Sequence, residues 1–367
     1  MYLTLDNMPS ILDVVSLFGI APTAGSQSHP ADREEGTAHA ATPRGLSAGG
    51  KAVQAHGIRL LQLTDRDSSV MSVSQVDEYS QFDPVVNIFR TMGQLQKLAV
   101  SGEVAVMPET RFAEALVSKS SAISSDLLLV PWDKTRGPGT PEAIAEAANN
   151  RADSSYANII KPVLQSAETN VGIFFPKAIG TQTSNPTPQR VKLTRAYSFS
   201  DIKTDNIPTI PVTNLSHHIF LPYFGGKDDE LALIVVLQLC EKPDVTATVV
   251  YFSPASSEDA YFSSAAASSL DSKYASRVKF ETVAAEDGYK TALERAATEM
   301  QPESREVTSR KLIVLGRRAG SDGVGGKPSY KVVEEVREGL GAVGAHLVAS
   351  GLSVDLLVVQ AKASVGN

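Results

Sequence analysis

Cysteine is nearly missing from this sequence, with one residue, Cys240, in 367. A lone cysteine excludes an internal disulfide and points to a reducing compartment. Cys240 closes the apolar run 231–240, so it reads as a small core hydrophobe rather than a nucleophile. An excess of positive charge is missing too. The 34 Lys and Arg against 41 Asp and Glu leave a net charge of −7, which excludes a broad nucleic-acid-binding face. No apolar run reaches the roughly 20 residues that cross a bilayer. The opening MYLTLDNMPSILDVVSLFG has no positive leading segment and no small-residue cleavage site, so it is not a secretory signal. It begins almost inside a strand, which leads us to expect a fragment of a longer polypeptide. Catalytic patterns are also absent: we find no P-loop, no Ser/His/Asp order and no paired-carboxylate geometry. The adjacent His217 and His218 point to opposite faces of a strand and have no cysteine or carboxylate cluster beside them, so no metal is expected. We therefore expect a non-enzymatic protein.

What is present supports real cores. Hydrophobic residues make up 42% of a chain long enough for two domains. Three polar stretches interrupt it. Residues 21–56 lack apolar periodicity and read as a disordered insertion in a first domain spanning 1–177. Residues 178–212, with TSNPTPQ and NIPTIPV, read as a linker to a second domain at 213–367. Residues 254–272 form a Ser/Ala-rich insertion.

Between these stretches, short apolar runs alternate with helical periodicity. The first half predicts strands at 1–5, 57–64, 103–108, 125–132 and 170–175, with helices at 9–18, 85–100, 111–123 and 155–168. Phe112, Leu116 and Ile123 are expected on one buried helix face. The second half predicts strands at 217–223, 246–253, 278–284, 310–317 and 354–360, with helices at 228–240, 287–300 and 331–349. The run ALIVVLQL carries many β-branched residues, yet its length and the strand that follows favour helix. Fourth and fifth strands lie about 44 residues apart in one half and about 43 in the other, as a tandem duplication requires. The fold class is α/β, with two Rossmann-like units, each a five-stranded parallel sheet covered on both faces.

Units of this spacing resemble the universal stress protein fold. Narrower motifs carry a second resemblance. GIRLLQLTDRDSSVM (57–71), DPVVNIFRTMGQL (83–95), SSDLLLVPW (124–132), FGGKDDELAL (224–233) and GLGAVGAHLVASGLSVDLLVVQ (339–360) are similar to the cytosolic tails of fungal K+/H+ antiporters and plant cation/H+ exchangers. That resemblance covers nearly the whole chain apart from the insertions. It implies a regulatory domain acting in potassium and pH homeostasis, with the transmembrane transport domain of the same polypeptide as partner. It further implies a homodimer, on the cytosolic side of a Golgi-like endomembrane. The alternative is a free-standing nucleotide-binding stress protein, and a hydrolase lacks both nucleophile and base.

Nucleotide-binding stress proteins place an Asp after the first strand and a glycine-rich loop after the fourth, so an adenine nucleotide is the candidate ligand. Asp6 and Asn7 fit the first position in the first half, but Pro131-Trp132-Asp133-Lys134 offers no glycine where the loop should be. In the second half Gly316 ends the fourth strand, Arg317 follows at the ligand-binding edge of such sheets, and Gly344 stands near the place of the final glycine. The turn before the second unit's first helix carries Gly225, Gly226, Asp228 and Asp229. Its glycines permit a positive-φ turn. Asp228 is expected to cap the helix, with Asp229 beside it offsetting the helix dipole. A ribose hydroxyl, a cation or a basic partner competes as their target.

Overall fold

The computed structural model describes residues 1–3, 8–18, 53–62, 82–95, 98–132, 159–176, 216–253, 276–284, 288–300, 310–318, 334–352 and 354–362. The linker 178–212, the insertion 254–272 and most of the insertion 21–56 lie outside them. Residues 54–56 belong instead to the first long strand.

Nine strands and seven helices alternate along the described residues. In the first half these are α1 (Met8–Phe18), β1 (Gln54–Gln62), α2 (Pro84–Leu95), β2 (Ala99–Met107), α3 (Phe112–Ala122), β3 (Leu127–Pro131), α4 (Lys161–Ser166) and β4 (Asn170–Phe175). The second half has β5 (His217–Tyr223), α5 (Lys227–Leu239), β6 (Val245–Ser253), β7 (Val278–Ala284), α6 (Gly288–Glu299), β8 (Arg310–Gly316), α7 (Glu334–Ala349) and β9 (Asp355–Gln360). The run ALIVVLQL is helical, within α5.

Two expectations need correction. The predicted strand 1–5 is reduced to one bridge, Tyr2 to Ile58, with residues 4–7 outside the described set. Ile123 is not on a buried face of α3: it follows the helix end and is exposed, while Phe112 and Leu116 are buried.

Sheet order shows how the two units join. In the second half the strands run β9-β8-β5-β6-β7, all parallel. In the first half β1 pairs with β2 and β3 with β4, both parallel. Met1–Leu3 bridges those pairs: the Leu3 N–H donates to Ile58 O at 2.8 Å and the Tyr2 N–H to Leu129 O at 3.3 Å. Both units thus share the order third, second, first, fourth, fifth. They do not form two five-stranded sheets as expected: β4 pairs antiparallel with β9 within one seven-stranded sheet, and β1–β2 is a separate parallel pair linked to it through Met1–Leu3.

That joint is self-complementary. The β3–β4 ladder from Leu127/Asn170 to Pro131/Phe174 corresponds to the β8–β9 ladder from Leu312/Asp355 to Gly316/Val359. Val171 then corresponds to Leu356 and Phe175 to Gln360, and the pairs across the joint are Val171/Gln360 and Phe175/Leu356, centred on Ile173/Val358. This is the register of an isologous contact, in which each patch meets its own copy.

Two cores lie on opposite faces of the sheet. One, under α1, α2 and α5, includes Ile11, Phe89, Phe174, Leu221 and Val236. The other, under α3, α4, α6 and α7, includes Leu116, Trp132, Val163, Phe220 and Leu340. Burial on both faces explains why strands such as β4 and β9 read as unbroken apolar runs.

Candidate functional site

Open α/β sheets bind ligands outside the carboxyl ends of their strands, where the strand order reverses. In the second unit that point lies between β5 and β8. The chain leaves β5 at Tyr223 and turns through Gly225 (φ 98°) and Gly226 (φ 100°), a left-handed conformation that glycine adopts without a Cβ penalty. The expected positive-φ turn is therefore present. α5 then starts at Lys227, directly over the ends of β8 and β9.

Asp228 and Asp229 are both buried, at 5% and 1% exposure. Asp229 accepts the Phe224 N–H at 2.8 Å on one oxygen and the Gly316 N–H at 3.2 Å on the other. Asp228 accepts the Arg318 N–H at 3.2 Å and the Ala361 N–H at 2.9 Å. Four backbone donors on the segments leaving β5, β8 and β9 therefore converge on two adjacent carboxylates. The expected cap is not what the aspartates form. The residue before the helix is Gly226, with no side-chain cap, and both carboxylates reach across to other strands. Their neighbours dictate this, because the strand ends offer unpaired N–H groups that would otherwise be buried without partners.

Burial is the main influence on Asp229 and pushes its pKa from 3.8 up to about 7, against the pull of N–H donors from Phe224, Gly316 and Gly225. Asp228 adds like-charge repulsion in the same upward direction.

Gly316 is required by this close approach. A Cβ there would lie 2.3 Å from Asp229 Oδ1 and 2.7 Å from backbone atoms of α5. Arg317 is held within the fold: its Nε donates to Gln360 at 2.7 Å, Nη1 donates to Glu338 O, and its N–H donates to Val359 O at 2.8 Å. Arg318 is exposed and meets the acidic pair through its backbone, not its guanidinium. Gly344 sits mid-helix in α7, where a Cβ would lie 3.0 Å from Leu340 Cβ and in ordinary contact, at 3.6 Å, with Leu315 and Val358. Asp6 and Asn7 fall outside the described residues.

The first unit leaves its fourth strand differently. The Trp132 N–H donates to Phe174 O at 2.7 Å, as the Arg317 N–H does to Val359 O. Trp132 is 2% exposed, belongs to the same core as Ile159, Ile160 and Val163, and lies 6.0 Å from the Phe175 ring.

The sequence did not signal three features. Gly341 (φ 72°) breaks the regular geometry of α7, and a Cβ there would lie 1.8 Å from Arg317 O. His218 bonds Thr246 and Glu299, each at 3.0 Å. Glu299 also accepts from Thr248 at 2.7 Å and lies 3.5 Å from Arg295. Burial raises its carboxyl, but the bonds from Thr248 and His218 and the pull of His218 and Arg295 outweigh this and hold it below the ordinary carboxylate range. These residues lie far apart in sequence, so no local motif could have found them. Cys240 is fully buried, with burial pushing its thiol up to about 12 against a weaker pull from Arg277, as expected for a core residue.

Residues 55–179 match the family model described as the plant cation/H(+) antiporter domain. Over 340 residues the chain is 21% identical to Cation/H(+) antiporter 18 of Arabidopsis thaliana, covering 86% of this chain and 38% of that protein. Cation/H(+) antiporter 17 of the same plant is 19% identical over 54% of this chain and 22% of its own length. The chain thus spans well under half the length of these relatives. Among solved structures, it is similar to a universal stress protein from Archaeoglobus fulgidus DSM 4304, with TM-score 0.41 and 12% identity over 84% of this chain and 87% of that one. It is also similar to the cytoplasmic domain of a prokaryotic cation chloride cotransporter, with TM-score 0.35 and 10% identity over 84% of each chain. At those scores the strand order, not the overlay, defines the fold. Among the described residues, no helix is long and apolar enough to cross a membrane.

Proposed function

We propose that this chain is a regulatory, non-enzymatic domain of a monovalent cation/H+ antiporter that exchanges K+ for H+. Its transport domain would lie outside residues 1–367 of the same polypeptide. The observation that carries the reading is the alignment with Cation/H(+) antiporter 18, which runs across both units yet spans 38% of that relative. The domain faces the cytosol from a Golgi-like endomembrane, and two copies assemble with a dimeric transporter. It acts by favouring one transporter conformation over another, which requires a different interaction free energy with each.

The test compares K+-driven proton movement in vesicles carrying the whole polypeptide or one truncated before this domain. We expect exchange to persist on truncation with a changed rate or pH dependence. Identical exchange with and without the domain would overturn the regulatory role. A polypeptide with no transmembrane segments would overturn the antiporter reading altogether.

The second reading, an adenine-nucleotide-binding domain, is disfavoured in the second unit. There the N–H groups of Gly316 and Arg318 already serve Asp229 and Asp228. Calorimetric titration with ATP, ADP and AMP tests it, and micromolar binding lost on substituting Gly316 would restore it.

A further inference from the structure

The acidic pair over the β5/β8 switch point combines three physical features. Asp228 and Asp229 are adjacent and buried, and their partners are neutral backbone N–H groups. The turn that carries them has two left-handed glycines with open space around both Cβ positions. The groups they hold lie on three separate strand ends. Hydrogen bonds from N–H donors stabilise one negative charge in such a place, but a second buried charge beside the first costs much more.

We propose that Asp228 and Asp229 form a proton-operated latch: with one proton on the pair, α5 stays closed on the ends of β8 and β9. Loss of that proton favours a state in which the first turn of α5 swings out on Gly225–Gly226. The open state hydrates both carboxylates and frees the N–H groups of Phe224, Gly316, Arg318 and Ala361.

Charged groups around the pair fit this. On α5, Lys227 and Glu230 flank it on the same turn. From the β8 end come Arg317, whose guanidinium is turned to Gln360 and Glu338 O, and the exposed Arg318. The segment after β9 brings the exposed Lys362. From α7, Glu338 is engaged by Lys161 at 2.9 Å. The β5 end brings only Phe224 and the two glycines. None of the described lysines, arginines or histidines forms a salt bridge with either aspartate, so a proton is the cation the closed state can use.

Opening releases a proton wherever the closed pair is protonated and the open carboxyl is not, between about pH 4 and pH 7. Across that window the open fraction should rise about tenfold per pH unit and level off above it.

The inference concerns the chain itself and does not depend on the antiporter reading. It is tested on the 367-residue chain in two ways. Carboxyl 13C shifts of labelled aspartates, assigned through bonds in the wild type, should show Asp229 titrating near neutrality. Hydrogen exchange at Gly316, Arg318 and Ala361, corrected for intrinsic rates, should show protection falling from pH 5 to 7 and flat above. In Asp229→Asn that dependence should vanish. Carboxyl shifts that titrate only below pH 5 overturn the latch, as does protection independent of pH. Because both measurements read the wild type, the conclusion stands even where the variant does not fold.

Discussion

The two units carry the same strand order but leave the fourth strand with different chemistry. The first ends its fourth strand at Pro131-Trp132, whose indole is buried in the core that also holds Ile159, Ile160 and Val163. The second ends at Gly316-Arg317, where the backbone N–H groups of Gly316 and Arg318 bind two buried carboxylates at the start of α5. One strand end carries an apolar side chain that does not titrate; the other meets a titratable pair. Duplication thus gives two copies of a scaffold, and the residues placed at its strand ends decide how each copy can respond.

Trp132→Ala should show the largest effect, because it empties a large buried site. A loss of about 3–5 kcal/mol is expected in urea denaturation. A loss below about 1 kcal/mol would mean the indole does not anchor the core at that strand end.

Gly316→Ala should come next, at about 1–3 kcal/mol, because the new methyl meets backbone and the Asp229 carboxylate. Gly226→Ala is the control. It has open space around it and a strained φ, so thermal melting should show a smaller cost.

The third prediction concerns pH. Asp229 has a folded-state pKa raised by burial from 3.8 to about 7, so its stability contribution is fully present below about pH 4 and is lost as pH rises through 7. Wild type should therefore lose stability relative to Asp229→Asn between those values, whereas Trp132→Phe should differ from wild type by a constant amount. Paired denaturant midpoints at pH 5 and 7.5 measure this, and parallel behaviour of the two variants would erase the contrast between the units.

The smallest effect belongs to the contact between them. Lys161 and Glu338 pair at 2.9 Å with side chains 45% and 41% exposed. Lys161→Ala should cost under about 1 kcal/mol and less in high salt. The antiparallel β4–β9 joint, centred on Ile173 and Val358, is the stronger tie.

Much of the fold was legible in the sequence. Strands 170–175, 217–223 and 278–284 have the predicted bounds, because each is a short apolar run between clear breaks. The bounds of α2 and β2 were less legible. The apolar 98–100 continue the helical pattern of VVNIFRTMGQLQKLAV, yet Ala99 and Val100 pair with β1 as the start of β2. The acidic pair was found as a feature but misread as a cap. Capping follows from local spacing, whereas its partners, Gly316, Arg318 and Ala361, lie on distant segments.

By itself, the sequence determined the alternation of strand and helix, the duplication, the positive-φ turn at Gly225–Gly226 and the core role of Cys240. These depend on periodicity, residue volume and backbone freedom, all of which act locally. Tertiary structure decided that strands of both units share one sheet, that Trp132 is a core residue, that Gly341 yields to the Arg317 carbonyl and that Asp228 and Asp229 serve three strand ends. Each of those depends on which backbone groups are left unpaired when remote segments meet, and no local pattern carries that information.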